Sequence, residues 1–315
     1  VGVIGAGLMG SGIAWSFSHR QIPVVLKDIK ELDVLKGLKS VDSINKQLLK
    51  RRRLTKREVN LAKFSVSPTL SYTELKSVDF IVEAVLEKMD VKKGVYAELE
   101  SLVKPTTIIA SNTSSLSVDE LANSLEKPER FIGMHFFSPV NRMPLVEIIP
   151  SKYTSNETLA TTLDIVKKMK KTAVVVKNCP GFLVNRIFLP YVNEAMYCLL
   201  DNASVPRVDR VLETFGMPLG PLSLADQVGL DIGVSVLEVL HNAYGDRMEV
   251  PEFALNALHE RQFLGKKSGK GFYVYNGKQK KVNLEVIDLL NSFKMGDSLE
   301  LSDQDIFERC IFVMI

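Results

Sequence analysis

Cysteine is scarce in this 315-residue chain: Cys179, Cys198 and Cys310 are scattered and form no CxxC pair. That spacing offers no disulfide framework and fits a reducing compartment. No apolar run reaches the length that spans a bilayer, so no membrane span is expected. Nor is there an excess of one charge: 40 Lys and Arg against 37 Asp and Glu leave +3, too little to argue for nucleic acid. Histidine is rare as well, with four residues in all. What is present is ordinary for a globular protein, 46% hydrophobic and 24% charged. The length suffices for two domains, each with its own core. Residue 1 is a valine already inside a strand-like run, so the natural N-terminus is expected upstream and targeting signals are not readable.

The first thirty residues carry the clearest local signal. Val1 to Ile4 is a short buried strand running into Gly5-Ala-Gly7-Leu-Met9-Gly10, a GxGxxG pattern. A helix over about Met9 to Arg20 follows, with Ile13, Ala14 and Phe17 at helical spacing. A second strand, Val24 to Leu26, then ends in Lys27-Asp28. Gly5 permits the tight turn, Gly7 lets a pyrophosphate approach the backbone, and Gly10 allows close helix packing beneath a phosphate-attracting helix N-terminus. Asp28 stands where an acidic side chain accepts hydrogen bonds from an adenosine ribose. Strand, glycines, helix, strand and acid in order predict dinucleotide binding. Asp28 would repel a 2′-phosphate, which favours NAD over NADP, with the neighbouring Lys27 as the counter-indication.

Residues 30 to 63 read as two helices, the second opened by a capping box at Thr55-x-x-Glu58. They carry a basic run: Lys46, Lys50, Arg51, Arg52, Arg53, Lys56 and Arg57. A solvated face is the plain explanation. Nucleic acid fits poorly because no aromatics interleave with the charges, and a phosphate-rich small molecule fits better. Strands over Val78 to Val85 and Thr107 to Ala110 follow, the latter delivering Ser111-Asn-Thr-Ser-Ser115 at its C-terminal end. Ligands of open α/β sheets sit at that edge. Capping boxes are predicted at Ser117-x-x-Glu120 and Thr154-x-x-Glu157, and a last strand at Val174 to Val176.

Between these lies the stretch of greatest chemical interest. Phe131 to Phe137 and Leu145 to Ile149 read as strands joined by a loop punctuated by Pro139 and Pro144. A strand–loop–strand return brings His135 and Glu147 side by side. A glutamate among Val and Ile needs a partner, since an unpaired buried charge is very costly. An imidazole supplies one, and the pair is then an oriented general base. The competing assignment pairs Glu147 with an arginine and leaves His135 as a core residue.

After Asn178-Cys-Pro-Gly181 the pattern turns helical: about Phe182 to Asp201, Val205 to Phe215 and Asp231 to Tyr244, with Gly216 to Pro221 as a connector. Asn185 lies near the start of the first of these helices, a two-sided hydrogen-bonder. Lys266 to Tyr275 is a glycine- and lysine-rich turn entering a short strand. The expected architecture is α/β, a Rossmann-type doubly wound sheet followed by an all-helical second domain. Its divisions are 1–177, a helical domain over 178–276, a basic linker over 277–300 with a helix near Leu284 to Phe293, and a fresh helix from 301 to 315. That last helix is expected to begin a second, degenerate helical copy in a longer polypeptide, with Glu308 standing where Asn185 stands in the first.

Taken together, GAGLMG, Asp28, VEAVLEKMDVK, SNTSSL, MHFFSPV, LVEII, PGFLVNR and GKKSGKGFY resemble the L-3-hydroxyacyl-CoA dehydrogenases of fatty-acid β-oxidation over roughly residues 1 to 276. The tail resembles the multifunctional members, in which this module follows an enoyl-CoA hydratase. The resemblance implies His135 as catalytic base, Glu147 as its partner, and Ser114 and Asn185 as substrate contacts. For NAD it implies Gly5, Gly7, Met9, Gly10, Asp28, Val85, Leu86, Glu87, Lys92 and Ser138. Ser138 is a departure, since the family usually has asparagine there. Ser43 and Lys50 are implied contacts for coenzyme A. No metal site and no nucleic-acid partner are expected. The implied partners are an acyl-CoA substrate and either a fused hydratase module or further copies of the chain. The implied compartment is the cytoplasm in a bacterium, otherwise the peroxisome or mitochondrion. A dehydrogenase of a free hydroxy acid, or a non-catalytic dinucleotide-binding structural protein, are the alternatives.

Overall fold

The computed structural model of the chain describes residues 1–277, 279–294 and 300–315 and divides into two compact units, Val1–Phe182 and Leu183–Ile315. The first opens β1 (Gly2–Ile4), α1 (Leu8–Ser18), β2 (Val24–Lys27), α2 (Glu31–Lys50), α3 (Lys56–Phe64) and β3 (Val66–Thr69). It continues with β4 (Phe80–Glu83), α4 (Met89–Glu100), β5 (Ile108–Ser111), α5 (Val118–Ala122), β6 (Phe131–Phe136), β7 (Leu145–Pro150), α6 (Asn156–Lys168) and β8 (Thr172–Val175). The eight strands form one sheet in the order β3-β2-β1-β4-β5-β6-β7-β8. All neighbours are parallel except β6 and β7. Strand order reverses between β1 and β4, and a ligand of such a sheet sits outside the carboxyl ends of the strands at that switch point.

Both faces of the sheet are covered, so the strands carry nearly unbroken apolar runs rather than an alternation. Adjacent residues serve different cores: Val3, Val82 and Ala110 pack on one side, Ile4, Ile81 and Ile109 on the other. His135 and Glu147 follow the same rule of two. They are cross-strand partners in the β6–β7 register, each flanked by buried residues that face the opposite way (Met134 and Phe136, Val146 and Ile148).

The capping predictions fared unequally. Thr55 and Glu58 cap α3 reciprocally, and Ser302 and Asp305 do the same for the last helix. Ser117 accepts from the Glu120 N–H, but the Glu120 carboxylate binds Lys93 at 2.9 Å and the box is half made. Helix α6 is capped by Ser155, not Thr154. The Thr154 hydroxyl donates instead to the Phe131 carbonyl at 2.7 Å and ties the turn after β7 to β6. Strand β3 was not foreseen, because its sequence, Val-Ser-Pro-Thr, has one apolar residue and a proline; it lies at the sheet edge, where proline is tolerated.

The second unit comprises α7 (Val184–Leu200), α8 (Val205–Phe215), α9 (Pro221–Val228), α10 (Leu230–Tyr244) and α11 (Glu252–His259). Then come β9 (Tyr273–Asn276), β10 (Gln279–Val282), α12 (Leu284–Phe293) and α13 (Asp303–Phe312). It is mostly helical rather than all-helical, since β9 and β10 pair antiparallel. The segment expected as a linker over 277–300 holds the expected helix as α12 and, beyond that expectation, the strand β10; its residues 278 and 295–299 lie outside the described residues. The connector predicted over Gly216 to Pro221 is followed by an unforeseen helix, α9, with Pro221 at its first position.

Helix α13 buries Ile306 and Cys310 fully against the second unit's core. Arg309 anchors it to α7, with nitrogen–oxygen distances of 2.6 Å to Glu194 and 2.6 Å to Asp201. The core of this unit is built mainly by α7, α8, α9 and α10, with Tyr191, Ala195, Leu212 and Leu222 fully buried. Among the described residues no helix is long and apolar enough to cross a membrane.

Candidate active site

The glycine turn after β1 has the geometry its sequence requires. Gly5 takes φ +96°, a left-handed conformation that glycine adopts without strain, and its N–H donates to the Lys27 carbonyl at 2.8 Å. A Cβ at Gly10 would overlap the Gly5 carbonyl oxygen, so α1 can start this close to β1 only with glycine there. A Cβ at Gly7, by contrast, would meet nothing, and Gly7 and Leu8 are exposed. One oxygen of Asp28 accepts the Ala6 N–H at 2.6 Å and the other the Ile29 N–H at 2.7 Å. The acid therefore braces the glycine turn and keeps lone pairs for a further donor.

Lys27, the residue that spoke for a phosphorylated ribose, is turned away. It is buried, with its ammonium 3.6 Å from the centre of the Tyr72 ring. Burial lowers its pKa, against the pull of Glu98 and Asp28. An open glycine turn, a braced acid and a sequestered lysine fit NAD.

At the carboxyl ends of β4 and β5 lies a buried charge network. Glu83, fully buried, accepts from Lys92 (2.8 Å), Tyr96 (2.6 Å), Ser111 (2.8 Å) and the Val85 N–H (2.7 Å). Lys92 is also fully buried, and its ammonium lies 3.3 Å from Glu87. One Glu87 oxygen then receives the Thr113 hydroxyl at 2.6 Å, the Ser114 N–H at 2.7 Å and the Ser115 N–H at 3.1 Å. Burial alone would raise the Glu87 carboxyl; Lys92 and these donors outweigh it and hold the group below its usual range. Chain order alone could not show that Glu87, Lys92 and Ser114 form one connected set. Val85 is half-buried and Leu86 exposed beside them.

Sequence reasoning missed Glu83. Its signal was the one that singled out Glu147, a carboxylate in an apolar strand, Phe-Ile-Val-Glu.

His135 and Glu147 meet as the strand pattern required. Nδ1 of His135 lies 2.7 Å from Oε2 of Glu147, which is wholly buried. Phe137 and Phe182 flank the imidazole, with ring centroids 4.6 and 5.9 Å away. With Nδ1 engaged by the carboxylate, Nε2 is the nitrogen available for proton transfer. Asn112, next to the serine cluster, accepts the Phe136 N–H at 3.0 Å and links β5's end to the strand that carries the histidine.

The loop after β6 holds Ser138, exposed, and is anchored from outside. Lys171 donates to the carbonyls of Val140 and Met143, each at 2.7 Å. Burial, helped by Arg20, lowers the Lys171 pKa to about 8. Ser43 and Lys50 are both exposed on α2, seven residues apart and so on one helix face. Met9 is half-buried in the first turn of α1. Asn185 sits in the first turn of α7, in the second unit.

A mostly parallel nucleotide-type sheet with its glycine turn and acid, joined by a buried histidine–carboxylate pair, defines an NAD-dependent oxidoreductase. Residues 1–179 match the family described as 3-hydroxyacyl-CoA dehydrogenase, NAD binding domain, and residues 181–275 match its C-terminal domain. The chain belongs to the 3-hydroxyacyl-CoA dehydrogenase family. It is 41% identical over 316 residues to the fatty acid oxidation complex subunit alpha of Vibrio campbellii, covering 100% of this chain and 44% of that protein. The chain thus spans less than half the length of this curated relative. The (S)-3-hydroxybutyryl-CoA dehydrogenase of Ralstonia eutropha superposes with a TM-score of 0.84 at 38% identity, over 87% of this chain and 98% of that one. The dehydrogenase part of multifunctional enzyme 1 from C. elegans is similar over 99% of this chain and 71% of that one, with a TM-score of 0.69 and 28% identity.

Proposed function

We propose that this chain oxidises (3S)-3-hydroxyacyl-CoA to 3-ketoacyl-CoA with His135 as general base. The observation that carries this reading is the 2.7 Å contact between His135 Nδ1 and a fully buried Glu147. Nε2 of His135 takes the proton from the 3-hydroxyl. Glu147 holds the tautomer in which that nitrogen is basic and stabilises the imidazolium that forms. NAD, when bound, supplies the acceptor for the hydride released from carbon 3. Gly5, Gly7, Met9, Gly10 and Asp28 would hold the dinucleotide, with Val85, Leu86, Glu87 and Ser138 along its path. Lys92 acts there through Glu87, whose carboxylate it pairs with. Ser114 and Asn185 orient the hydroxyl and the thioester carbonyl.

The purified chain is expected to oxidise NADH with acetoacetyl-CoA, and Glu147→Gln to cost at least tenfold in kcat, about 1.4 kcal/mol of transition-state stabilisation. An equally active Glu147→Gln would sink the pair's assignment. The exposed α2 face with Ser43 and Lys50 is assigned to the phosphates of coenzyme A. Reversing charge at Lys50 and Arg51 together should raise KM for the acyl-CoA on the order of tenfold at low ionic strength. It should also flatten the dependence of KM on salt. An unchanged KM at low ionic strength would refute that assignment.

For the whole protein we propose a fused enoyl-CoA hydratase module and a cytoplasmic, reducing setting. The support is the resemblance of the tail to multifunctional members, the 44% coverage of the bacterial relative, and three scattered cysteines that form no CxxC pair. Reading the full gene tests the fusion: a reading frame with no hydratase module would overturn it.

A further inference from the structure

The second unit contains an apolar groove to which the reaction above assigns no occupant. It is a cavity of about 100 Å³ between α7, α9 and α10. Phe188 and Val192 of α7, Leu224 of α9, and Leu230, Val234 and Leu237 of α10 line it. Its polar lining side chain is Asn185, the residue assigned to the substrate's polar end. Two glycines complete the wall, Gly229 and Gly233. Gly229 has a conformational reason to be glycine, φ +106°. Gly233 has none. It lies within helix α10, where glycine costs helix stability. A Cβ added there would meet nothing within 4 Å. Its missing side chain leaves room in the groove.

We infer that this groove receives the alkyl tail of the acyl-CoA, and that Gly233 sets the chain length the enzyme favours. The inference rests on the substrate class proposed above and names its tail subsite. A wall that is apolar except for one hydrogen-bonding residue, Asn185, which the proposed reaction assigns to the substrate's polar head, is what a hydrocarbon chain ending in such a head requires. The size sets the range. An apolar cavity of roughly 150 Å³ holds benzene, six carbons, so this one holds on the order of four. Beyond carbon 3, tails are therefore gripped up to a total of about seven or eight carbons. Each buried methylene up to that length is expected to favour binding by about fourfold. Longer tails gain little.

The test is the dependence of kcat/KM on chain length, measured with 3-ketoacyl-CoA substrates of four, eight and twelve carbons on the full chain and on Gly233→Leu. The parent's efficiency is expected to rise from four to eight carbons and then level. In Gly233→Leu the eight-to-four ratio should fall at least tenfold, with Gly233→Ala in between; both changes favour the helix, and circular dichroism checks the fold. An unchanged ratio overturns the inference. So does a uniform loss at every chain length, or an altered oligomeric state with the parent's profile, which would make the groove a protein-docking face. Calorimetry with saturated butyryl- and octanoyl-CoA reads tail binding without turnover. Absent hydride transfer with a chain-length preference that Gly233→Leu removes would refute the proposed reaction and leave the groove assigned.

Discussion

A chain carrying His135→Gln is expected to bind NAD as the parent does and to turn over 3-hydroxyacyl-CoA about 10²- to 10⁴-fold more slowly. Glutamine keeps the approximate size and a hydrogen-bonding end, so the cavity between Phe137 and Phe182 is still filled. What it lacks is a basic nitrogen. It also leaves Glu147 as a fully buried carboxylate facing an amide, so some loss of stability accompanies the loss of rate. Cofactor affinity separates the two effects. The glycine turn and Asp28 are held by β1, β2 and α1, through hydrogen bonds in which His135 has no share. The check is a fluorescence titration with NADH beside steady-state rates. A variant within tenfold of the parent rate would show that another group takes the proton. Loss of NADH binding would show that the imidazole holds the cofactor instead.

Much of this site was legible because strand chemistry is local. Apolar residues on both sides of His135 and Glu147, with two prolines between, specify two strands and a return, and the register pairs the two residues. The glycine turn was legible for a similar reason: the left-handed conformation of Gly5 and the close approach of Gly10 to the Gly5 carbonyl are demands set within the turn itself. What sequence did not show was connection across the sheet. Glu83, Glu87, Lys92 and Ser114 come from β4, the loop after it, α4 and the loop after β5, and the parallel pairing of β4 with β5 brings Ser114 to the other three. Thr154 and Ser155 were equally good caps by residue type, and the choice fell to a distant carbonyl, that of Phe131. The pair β9 and β10 has a parallel lesson. Gln-Lys-Lys-Val reads as a basic linker because its backbone is held by a partner strand, not by its own side chains.

The Lys266–Tyr275 motif is explained by a second buried acid, Asp226. Its two oxygens accept the N–H groups of Phe272 (2.8 Å) and Tyr273 (2.9 Å) and the Tyr275 hydroxyl (2.9 Å). A Cβ at Gly265 would overlap the Asp226 backbone, and one at Gly271 its carboxylate, so both glycines exist to let the turn reach this side chain. Nearby Asp209 accepts the Tyr273 hydroxyl at 2.7 Å and the Leu222 N–H at 2.9 Å. The glycine-rich turn is therefore a docking device within the second unit.

Asp226→Asn is expected to cost about 2–4 kcal/mol of the second unit's stability, because three donors converge on a side chain that now has one acceptor oxygen. At least one buried donor is left facing an NH₂ group, and each such loss costs about 1–3 kcal/mol. Burial, reinforced by the charge of Asp209, raises the Asp226 carboxyl from its ordinary 3.8 to about 6, against the hydrogen bonds that favour the anion. A pKa raised by folding means that the folded state takes up the proton more readily than the unfolded one. The associated stability is fully present below 3.8 and is lost as pH rises through about 6. The parent's advantage over Asp226→Asn should therefore be larger at pH 4.5 than at pH 7.5, by on the order of 2 kcal/mol. Urea unfolding of parent and variant at the two pH values measures it, and the difference cancels every other titrating group. Equal midpoints at pH 7.5 would show that the three hydrogen bonds do not dock the turn. A cost that does not change with pH would show that the carboxyl is not raised by its burial.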